Sequence, residues 1–183
     1  MQVITTPIEG LLIIKPQVFE DSRGYFLESY NKKKLENYIN TDFVQDNQSQ
    51  SCYGTIRGLH YQLAPYSQAK LVRVLSGKIY DVAVDVREKS PTYGQFFGIE
   101  LSCDNKTQLY VPHGFAHGFS VLSDKAIVFY KTDSFYNAEM ERGINFNDPS
   151  LEIDWKIDLT KAVISSKDKV LPFLADAEKN FNF

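Results

Sequence analysis

Cysteine and histidine are scarce in this chain of 183 residues, which limits the disulfide and metal chemistry open to it. Its two cysteines, Cys52 and Cys103, lack the close spacing of a metal site, so we interpret them as reduced thiols of a cytoplasmic protein. The three histidines are His60, His113 and His117. Any metal site built on histidine would have to draw on these three side chains.

Long apolar runs and basic blocks are also missing. The longest apolar run near the N-terminus is Leu11 to Ile14, and no basic stretch precedes it, so we expect neither a signal peptide nor a membrane span. The net charge is −3, and no run of basic residues exceeds the three lysines Lys32 to Lys34. We interpret those lysines as a solvated surface and expect no nucleic-acid partner.

Aromatic residues are abundant, and their pattern favours strands. They make up 14% of the chain, with 11 tyrosines and 13 phenylalanines. The stretch "YDVAVDVR" alternates apolar and polar residues and predicts a half-buried strand. The preceding "AKLVRVL" predicts a partner strand, with "SGK" at Ser76 to Lys78 as the tight turn of a hairpin. Trp155, Tyr80, Tyr93 and Tyr110 are interpreted as packing residues, Trp155 in the core or a dimer contact.

Further short apolar runs are separated by Gly, Pro, Asn, Asp and Ser: "SCYGTIRGLHYQ", "FFGIELS", "TQLYVP", "GFSVL" and "AIVFYKT". One helix is predicted over Asn31 to Ile39 with Asn31 as its N-cap, and short helical turns follow about Asp158. The length suits one domain, residues 1–183. We predict a mainly β fold, an antiparallel sandwich, barrel or jelly roll.

Several ionisable residues lie inside strand-like patterns, where a ligand cavity of such a fold would be lined. They are Arg57, His60, Lys70, His117, Tyr130 and, near the C-terminus, Asp168. A jelly-roll metal site usually includes a His-x-His pair, which is absent, and Pro112 and Gly114 argue against a helix that would align His113 with His117. We therefore expect no metal. A histidine, tyrosine, lysine and carboxylate set suits proton abstraction beside a carbonyl group.

An ordered series of motifs covers nearly the whole chain: "FEDSRGYFLESY", "QDNQSQS", "GTIRGLHYQ", "QAKLVRVLSGKIYDVAVDVR", "SPTYG", "PHGFAHGF", "YKT", "FNDP" and "SSKDKVLP". Together they closely resemble the dTDP-4-dehydrorhamnose 3,5-epimerases. The resemblance implies a homodimeric cupin-type double-stranded β-helix, or jelly roll, with a few short helices. It also implies a cofactor-free reaction that converts dTDP-4-dehydro-6-deoxy-D-glucose to dTDP-4-dehydro-L-rhamnose, a step of dTDP-L-rhamnose biosynthesis.

The resemblance also assigns roles to residues of this sequence. His60 matches the general base, Asp168 its orienting carboxylate, and Tyr130 the acid on the opposite face of the sugar. Lys70 matches the lysine near the keto oxygen. The implied substrate contacts are Arg57 and His117 at the sugar and diphosphate, and Phe19, Arg23, Glu28, Gln45 and Asn47 at the nucleotide, partly from the neighbouring subunit.

Three other functions are weighed against this one. A mono-epimerase acting on carbon 3 or carbon 5 alone would use the same residues. A non-catalytic sugar-nucleotide-binding cupin would be expected to lack the base, its carboxylate or the acid, whereas this chain has all three. A metal-dependent cupin enzyme would need the histidine spacing that is missing here.

Overall fold

Short antiparallel strands make up most of the regular structure in the computed structural model, which describes residues 1–183. The strands are β1 (Gln2–Thr5), β2 (Leu12–Lys15), β3 (Val18–Asp21), β4 (Gly24–Leu27), β5 (Gln45–Cys52), β6 (Ile56–Gln62), β7 (Lys70–Ser76), β8 (Lys78–Asp85), β9 (Phe96–Ser102), β10 (Gln108–Val111), β11 (Phe115–Val121), β12 (Lys125–Thr132) and β13 (Glu141–Gly143). No helix is both long and apolar enough to cross a membrane.

Two large sheets face each other. One has six strands in the order β1-β2-β10-β7-β12-β5, and the other has five in the order β13-β6-β11-β8-β9. Strands β3 and β4 form a separate two-stranded hairpin. The strand pairs of both sheets are antiparallel, and neighbours in a sheet are often distant in the chain. This arrangement confirms the jelly-roll prediction.

The predicted hairpin at Ser76 to Lys78 is wrong. Strand β7 pairs with β10 and β12, whereas β8 pairs with β11 and β9, so the chain passes here from one sheet to the other. Gly77 makes this passage with φ of 77°, and a Cβ at this position would lie 2.1 Å from the Lys125 carbonyl oxygen. A tight turn between two alternating strands looks the same in sequence whichever sheet receives the second strand.

Strand β8 was predicted to be half-buried, and this is also wrong, because both of its faces are covered. Val82 and Val84 pack under the C-terminal segments, while Ala83 packs between the two sheets. The polar positions Asp81 and Asp85 are fully buried. Asp85 accepts hydrogen bonds from side chains of the following turn, and Asp81 is hydrogen-bonded to a histidine. Both buried carboxylates therefore have hydrogen-bond partners.

The one α-helix is confirmed but is shorter than predicted. Helix α1 spans Lys32–Leu35, and the Asn31 side chain accepts from the Lys34 N–H, which confirms the N-cap. The helix ends before the predicted Ile39, although Ile39 N–H still donates to the Leu35 carbonyl. Short 3-10 turns at Leu159–Lys161 and Asp168–Val170 confirm the C-terminal prediction.

The aromatic packing predictions have mixed outcomes. Trp155 is buried on the outer side of the five-stranded sheet and donates from Nε1 to the Phe146 carbonyl oxygen, which makes it a core residue. Tyr110 is buried in a separate core cluster, and Tyr80 packs against the cluster that contains Trp155. Tyr93 is exposed in the turn after β8, so the packing prediction is wrong for this residue.

Candidate active site

A polar pocket of about 150 Å³ opens between the two large sheets. Strands from both sheets supply its walls, and the lining residues are Ser49, Arg57, His60, Lys70, His117, Gly118, Phe119 and Tyr130. Arg57 and His60 are three apart on β6, and both line the pocket because the β6–β11 register shifts between His117 and Phe119. The structure thus brings together His60, Lys70, Tyr130, Arg57 and His117 from four separate strands.

His60 on β6 is bonded to Asp168. The Nε2 atom of His60 lies 2.7 Å from Oδ1 of Asp168, and the Asp168 side chain is buried while that of His60 is 29% exposed. Burial opposes ionisation of Asp168, but the hydrogen bond and charge of His60 and the Ser165 hydroxyl outweigh it and lower its pKa. The carboxylate is therefore ionised at neutral pH and fixes one nitrogen of the ring, leaving the other for chemistry.

Lys70 begins β7 on the opposite sheet. Its Nζ donates to the His60 carbonyl oxygen at 3.4 Å, so the ammonium lies at the level of His60. Burial lowers the pKa of Lys70 to about 8, against the opposing effect of Asp81 and Glu141. The lysine is consequently cationic at neutral pH, and its charge is partly desolvated, which strengthens its attraction for an oxyanion.

Tyr130 on β12 faces the pocket from the same sheet as Lys70. It partly packs against the core between the sheets, and it lines the pocket together with His60. Burial raises the pKa of Tyr130, while Arg57 lowers it and Glu141 adds to the rise. The phenol therefore keeps its proton at neutral pH. His60 and Tyr130 stand on opposite sheets, so they approach a ligand in the pocket from opposite sides.

His117 lies beside His60, because β11 and β6 place the two residues opposite each other. The strands approach closely at Gly58, where a Cβ would lie 2.5 Å from the Gly118 Cα. The Nε2 atom of His117 is 2.9 Å from Oδ1 of the buried Asp81. One ring nitrogen is therefore occupied by a carboxylate, and the ring lines the pocket floor in a fixed orientation.

Strand β5 contributes a polar stripe. Gln45, Asn47, Ser49 and Ser51 alternate with more exposed residues, and the Gln45 amide donates to Asn47 Oδ1 at 3.0 Å. Asn47 lies opposite Tyr130 in the β5–β12 pair, and Ser49 lines the pocket, whereas Gln45 and Asn47 are not among its lining residues. Ser51 Oγ accepts from Arg57 Nε at 2.9 Å. Ser49 and Ser51 were not predicted as site residues.

Three further predicted substrate contacts, Phe19, Arg23 and Glu28, also lie outside this pocket. Phe19 and Arg23 lie on the β3–β4 hairpin, which lines a separate surface depression with its own residues. Phe19 is 54% exposed, and Arg23 is paired with Asp21. Glu28, just after β4, accepts from Asn31 and pairs with Lys34. Within one chain these residues are a second polar and aromatic surface, distinct from the pocket.

A second opening beside His60 has a volume of about 110 Å³. It shares His60, Lys70 and Tyr130 with the main pocket and adds Tyr61, Gln62, Gln68, Tyr136 and Glu141. Tyr136 and Glu141 were also not predicted. Their only sequence signal is a pair of polar groups in the loop and three-residue strand that follow Tyr130.

Each of the three histidines is bonded to a different carboxylate. His60 pairs with Asp168, His117 with Asp81, and His113 with Asp133 at 2.7 Å. No group of three His, Cys, Asp or Glu side chains is placed to hold a metal ion. The fold and pocket define a cupin-type jelly roll whose cavity carries a His–Asp pair, a lysine and a tyrosine suited to acid–base chemistry.

Comparison with known proteins identifies the family. The sequence profile for dTDP-4-dehydrorhamnose 3,5-epimerase matches residues 5–176. The enzyme of that name from Shigella flexneri is 51% identical over 170 residues, which cover 92% of this chain and 93% of the relative. The chain belongs to the dTDP-4-dehydrorhamnose 3,5-epimerase family.

Solved structures support the same family assignment. The crystal structure of dTDP-4-dehydrorhamnose 3,5-epimerase from Elizabethkingia anophelis is similar with a TM-score of 0.93 at 53% identity, covering 96% of this chain and 97% of the other. The dTDP-6-deoxy-D-glucose-3,5-epimerase from Legionella pneumophila was solved in complex with dTDP-4-keto-L-rhamnose. It has a TM-score of 0.92 at 46% identity, covering 96% and 93% of the two chains.

Proposed function

We propose that this protein is a dTDP-4-dehydrorhamnose 3,5-epimerase, which converts dTDP-4-dehydro-6-deoxy-D-glucose to dTDP-4-dehydro-L-rhamnose. One observation carries the proposal. His60 and Tyr130 line the same pocket from opposite sheets, so a base and an acid flank the same ligand. Inversion at carbon requires this placement, because the proton must leave from one face of the ring and return to the other.

The 4-keto group acidifies the hydrogens on carbons 3 and 5. His60 removes one of them through the nitrogen that Asp168 leaves free, and the C–H electrons move to the keto oxygen to form an enolate. The ionised Asp168 stabilises the resulting imidazolium and holds the ring orientation. The same base serves both carbons when the ring presents each of them in turn.

Lys70 stabilises the enolate oxygen with its partly desolvated ammonium. Tyr130 then gives its proton to the carbon from the opposite face. Before the second inversion, solvent reprotonates the tyrosinate and takes the abstracted proton from the His60 imidazolium. The raised pKa of Tyr130 keeps the phenol protonated until a strongly basic carbanion is present. No oxidation or group transfer occurs, and Lys70 supplies the positive charge for the enolate oxygen, so the proposed steps use neither a cofactor nor a metal.

Substrate binding divides between the pocket and the surface around it. We assign Arg57, whose Nε donates to Ser51 Oγ, to the diphosphate and His117 to the sugar, because both side chains line the pocket. We assign Gln45 and Asn47, on the pocket-lining strand β5, to the nucleotide. Phe19, Arg23 and Glu28 lie outside the pocket of their own chain, and we propose that they complete the nucleotide site of a partner subunit in a homodimer.

Two further assignments belong to this proposal. Residues 1–183 form one epimerase domain, because strands from the first and last thirds of the chain share the two sheets around one pocket. We assign the protein to the cytoplasm, because Cys52 and Cys103 are free thiols.

The experiment is incubation with dTDP-4-dehydro-6-deoxy-D-glucose in deuterated water, followed by proton NMR of the sugar. We expect deuterium at carbons 3 and 5 and the L-rhamno configuration in the product. Inversion at a single carbon would show a mono-epimerase. Tight binding without any deuterium incorporation would show a non-catalytic binding protein, and either result would overturn the proposal.

A further inference from the structure

Glu141 lies on the same face of its sheet as His60. In the β13–β6 pair Glu141 is opposite Gln62, and Gly143 is opposite His60. Because residues two apart on a strand share a face, the Glu141 side chain is a diagonal neighbour of the His60 ring. Both line the second opening of the pocket.

The Glu141 carboxylate joins two other segments. Its Oε2 accepts from the Tyr136 hydroxyl at 2.6 Å and pairs with the Lys167 ammonium. The Glu141 side chain is 16% exposed, whereas that of Lys167 is 58% exposed. Burial opposes ionisation of Glu141, but the hydrogen bonds from Lys167 and Tyr136 outweigh it and lower its pKa. Glu141 is therefore a fixed negative charge at neutral pH.

Lys167 directly precedes Asp168, the carboxylate bonded to His60. A lysine side chain is long and flexible, and Asp168 offers it an ionised partner close by. The ion pair with Glu141 instead directs this ammonium toward β13. We propose that Glu141 is a positioning residue that holds Lys167 away from Asp168, so that the Asp168 carboxylate stays committed to His60.

The inference rests on the proposed function for the role of His60 as base. It adds that the charge balance around this base depends on a residue that touches no reacting atom. The charged and titratable groups that share a pocket or a hydrogen bond with His60 are Asp168 (3-10 turn), Arg57 and Tyr61 (β6), Lys70 (β7), His117 (β11), Tyr130 (β12), Tyr136 (the loop after β12) and Glu141 (β13).

The test begins with NMR of the His60 ring. Only three histidines are present, so labelled histidine gives few signals, and His60→Asn identifies the one from His60. Glu141→Gln keeps an acceptor for Tyr136 but releases Lys167, so we expect the His60 titration midpoint to fall by about half a pH unit or more. Lys167→Met removes the cation and should raise the midpoint. The double variant should return close to the wild-type value.

The matched control is Glu139→Gln, an exposed carboxylate two residues away that uses only its backbone groups in hydrogen bonds. Its His60 midpoint should equal that of wild type. The inference is overturned if Glu141→Gln moves the midpoint no more than this control, or if Lys167→Met in the Glu141→Gln background does not reverse the shift. Should Glu141→Gln fail to fold, Glu141→Asp replaces it: the charge is kept but the carboxylate no longer reaches Lys167, so the His60 midpoint should still fall, and an unchanged midpoint would overturn the inference.

Turnover gives a second readout. Glu141→Gln should lower kcat by about 10-fold or more while changing KM by less than about threefold, and the double variant should recover most of the loss. A purely structural role would not be rescued by deleting a second residue. The NMR measurement uses no substrate, so a chain without epimerase activity would refute the proposed function and still report on Glu141.

Discussion

His60 Nε2 and Asp168 Oδ1 are 2.7 Å apart although the two residues are 108 positions apart in the chain. Strand β6 carries the imidazole, and a 3-10 turn near the C-terminus carries the carboxylate. The pair therefore joins a sheet wall to the segment that closes over it. Because the carboxylate is buried and the ring is partly exposed, the pair presents one ring nitrogen to the pocket.

The pair predicts a graded loss of activity. His60→Asn removes the base and should lower kcat by several orders of magnitude, whereas Asp168→Asn leaves the base in the wrong orientation or tautomer and should lower kcat about 10- to 100-fold. Steady-state kinetics on both variants measure this difference. Asp176→Asn, an exposed carboxylate of the C-terminal segment, is the control. Near-normal turnover of His60→Asn would refute its assignment as base.

The lowered pKa of Lys70 leads us to expect that activity declines at alkaline pH. Its pKa is lowered to about 8, so the ammonium that stabilises the enolate is lost as the pH rises through this value. We expect kcat/KM to fall above about pH 8, well before Tyr130, whose pKa is raised, begins to ionise. Lys70→Met should lower kcat about 100-fold at neutral pH and remove this limb of the profile. An unchanged limb in Lys70→Met would assign it to another group.

The fold was largely predictable, because apolar residues alternate or cluster in most strands. The exceptions have physical causes. Strand β5, "QDNQSQSC", has polar residues on both faces, one toward the pocket and one toward solvent, so hydrophobic periodicity could not reveal it. In β8 the buried Asp81 and Asp85 were read as solvent-facing, because the two-residue rule treats polar side chains as exposed.

The site was predictable where an ionisable residue interrupts an apolar strand, as His60, Lys70 and Tyr130 do. Asp168 could not be paired with His60 from spacing, since a contact over 108 positions depends on the closed fold, and only the family resemblance suggested it. Glu141 gave no signal, because it sits in a three-residue strand without an apolar pattern.

We expect the enzyme to be active in solution without a metal ion. The three histidines are each engaged by a different carboxylate, and no three potential ligands converge. Dialysis against EDTA followed by assay in metal-free buffer should leave full turnover. Loss of activity that a single divalent ion restores would contradict this prediction and revive the metal-dependent cupin alternative.

The β3–β4 hairpin predicts a dimer with shared sites. Phe19 and Phe26 are more than half exposed, which is unusual for neighbouring aromatic side chains on one short hairpin. If Arg23 contacts the nucleotide bound by a partner, Arg23→Ala should raise KM about 10-fold with little change in kcat. Lys33→Ala, a solvated charge on α1, is the control. A fully active monomer by light scattering at micromolar concentration would contradict the prediction.

Tyr130 allows proton removal and inversion to be separated. Tyr130→Phe deletes only the hydroxyl and keeps the ring that packs against the core, so the fold should be unaffected. His60 can still remove a proton and, after exchange with solvent, return deuterium to the face from which the proton came. In deuterated water we expect Tyr130→Phe to exchange with retention, while inversion falls by about 100-fold.

The controls make the result specific. His60→Asn should abolish exchange and inversion together, since both begin with the same abstraction. Tyr136→Phe removes a hydroxyl at the second opening, one that donates to Glu141, and should preserve inversion far better than Tyr130→Phe does. NMR of the recovered sugar reads deuterium content and configuration at carbons 3 and 5. If Tyr130→Phe inverts both carbons at the wild-type rate, the proton delivered to the second face comes from another donor.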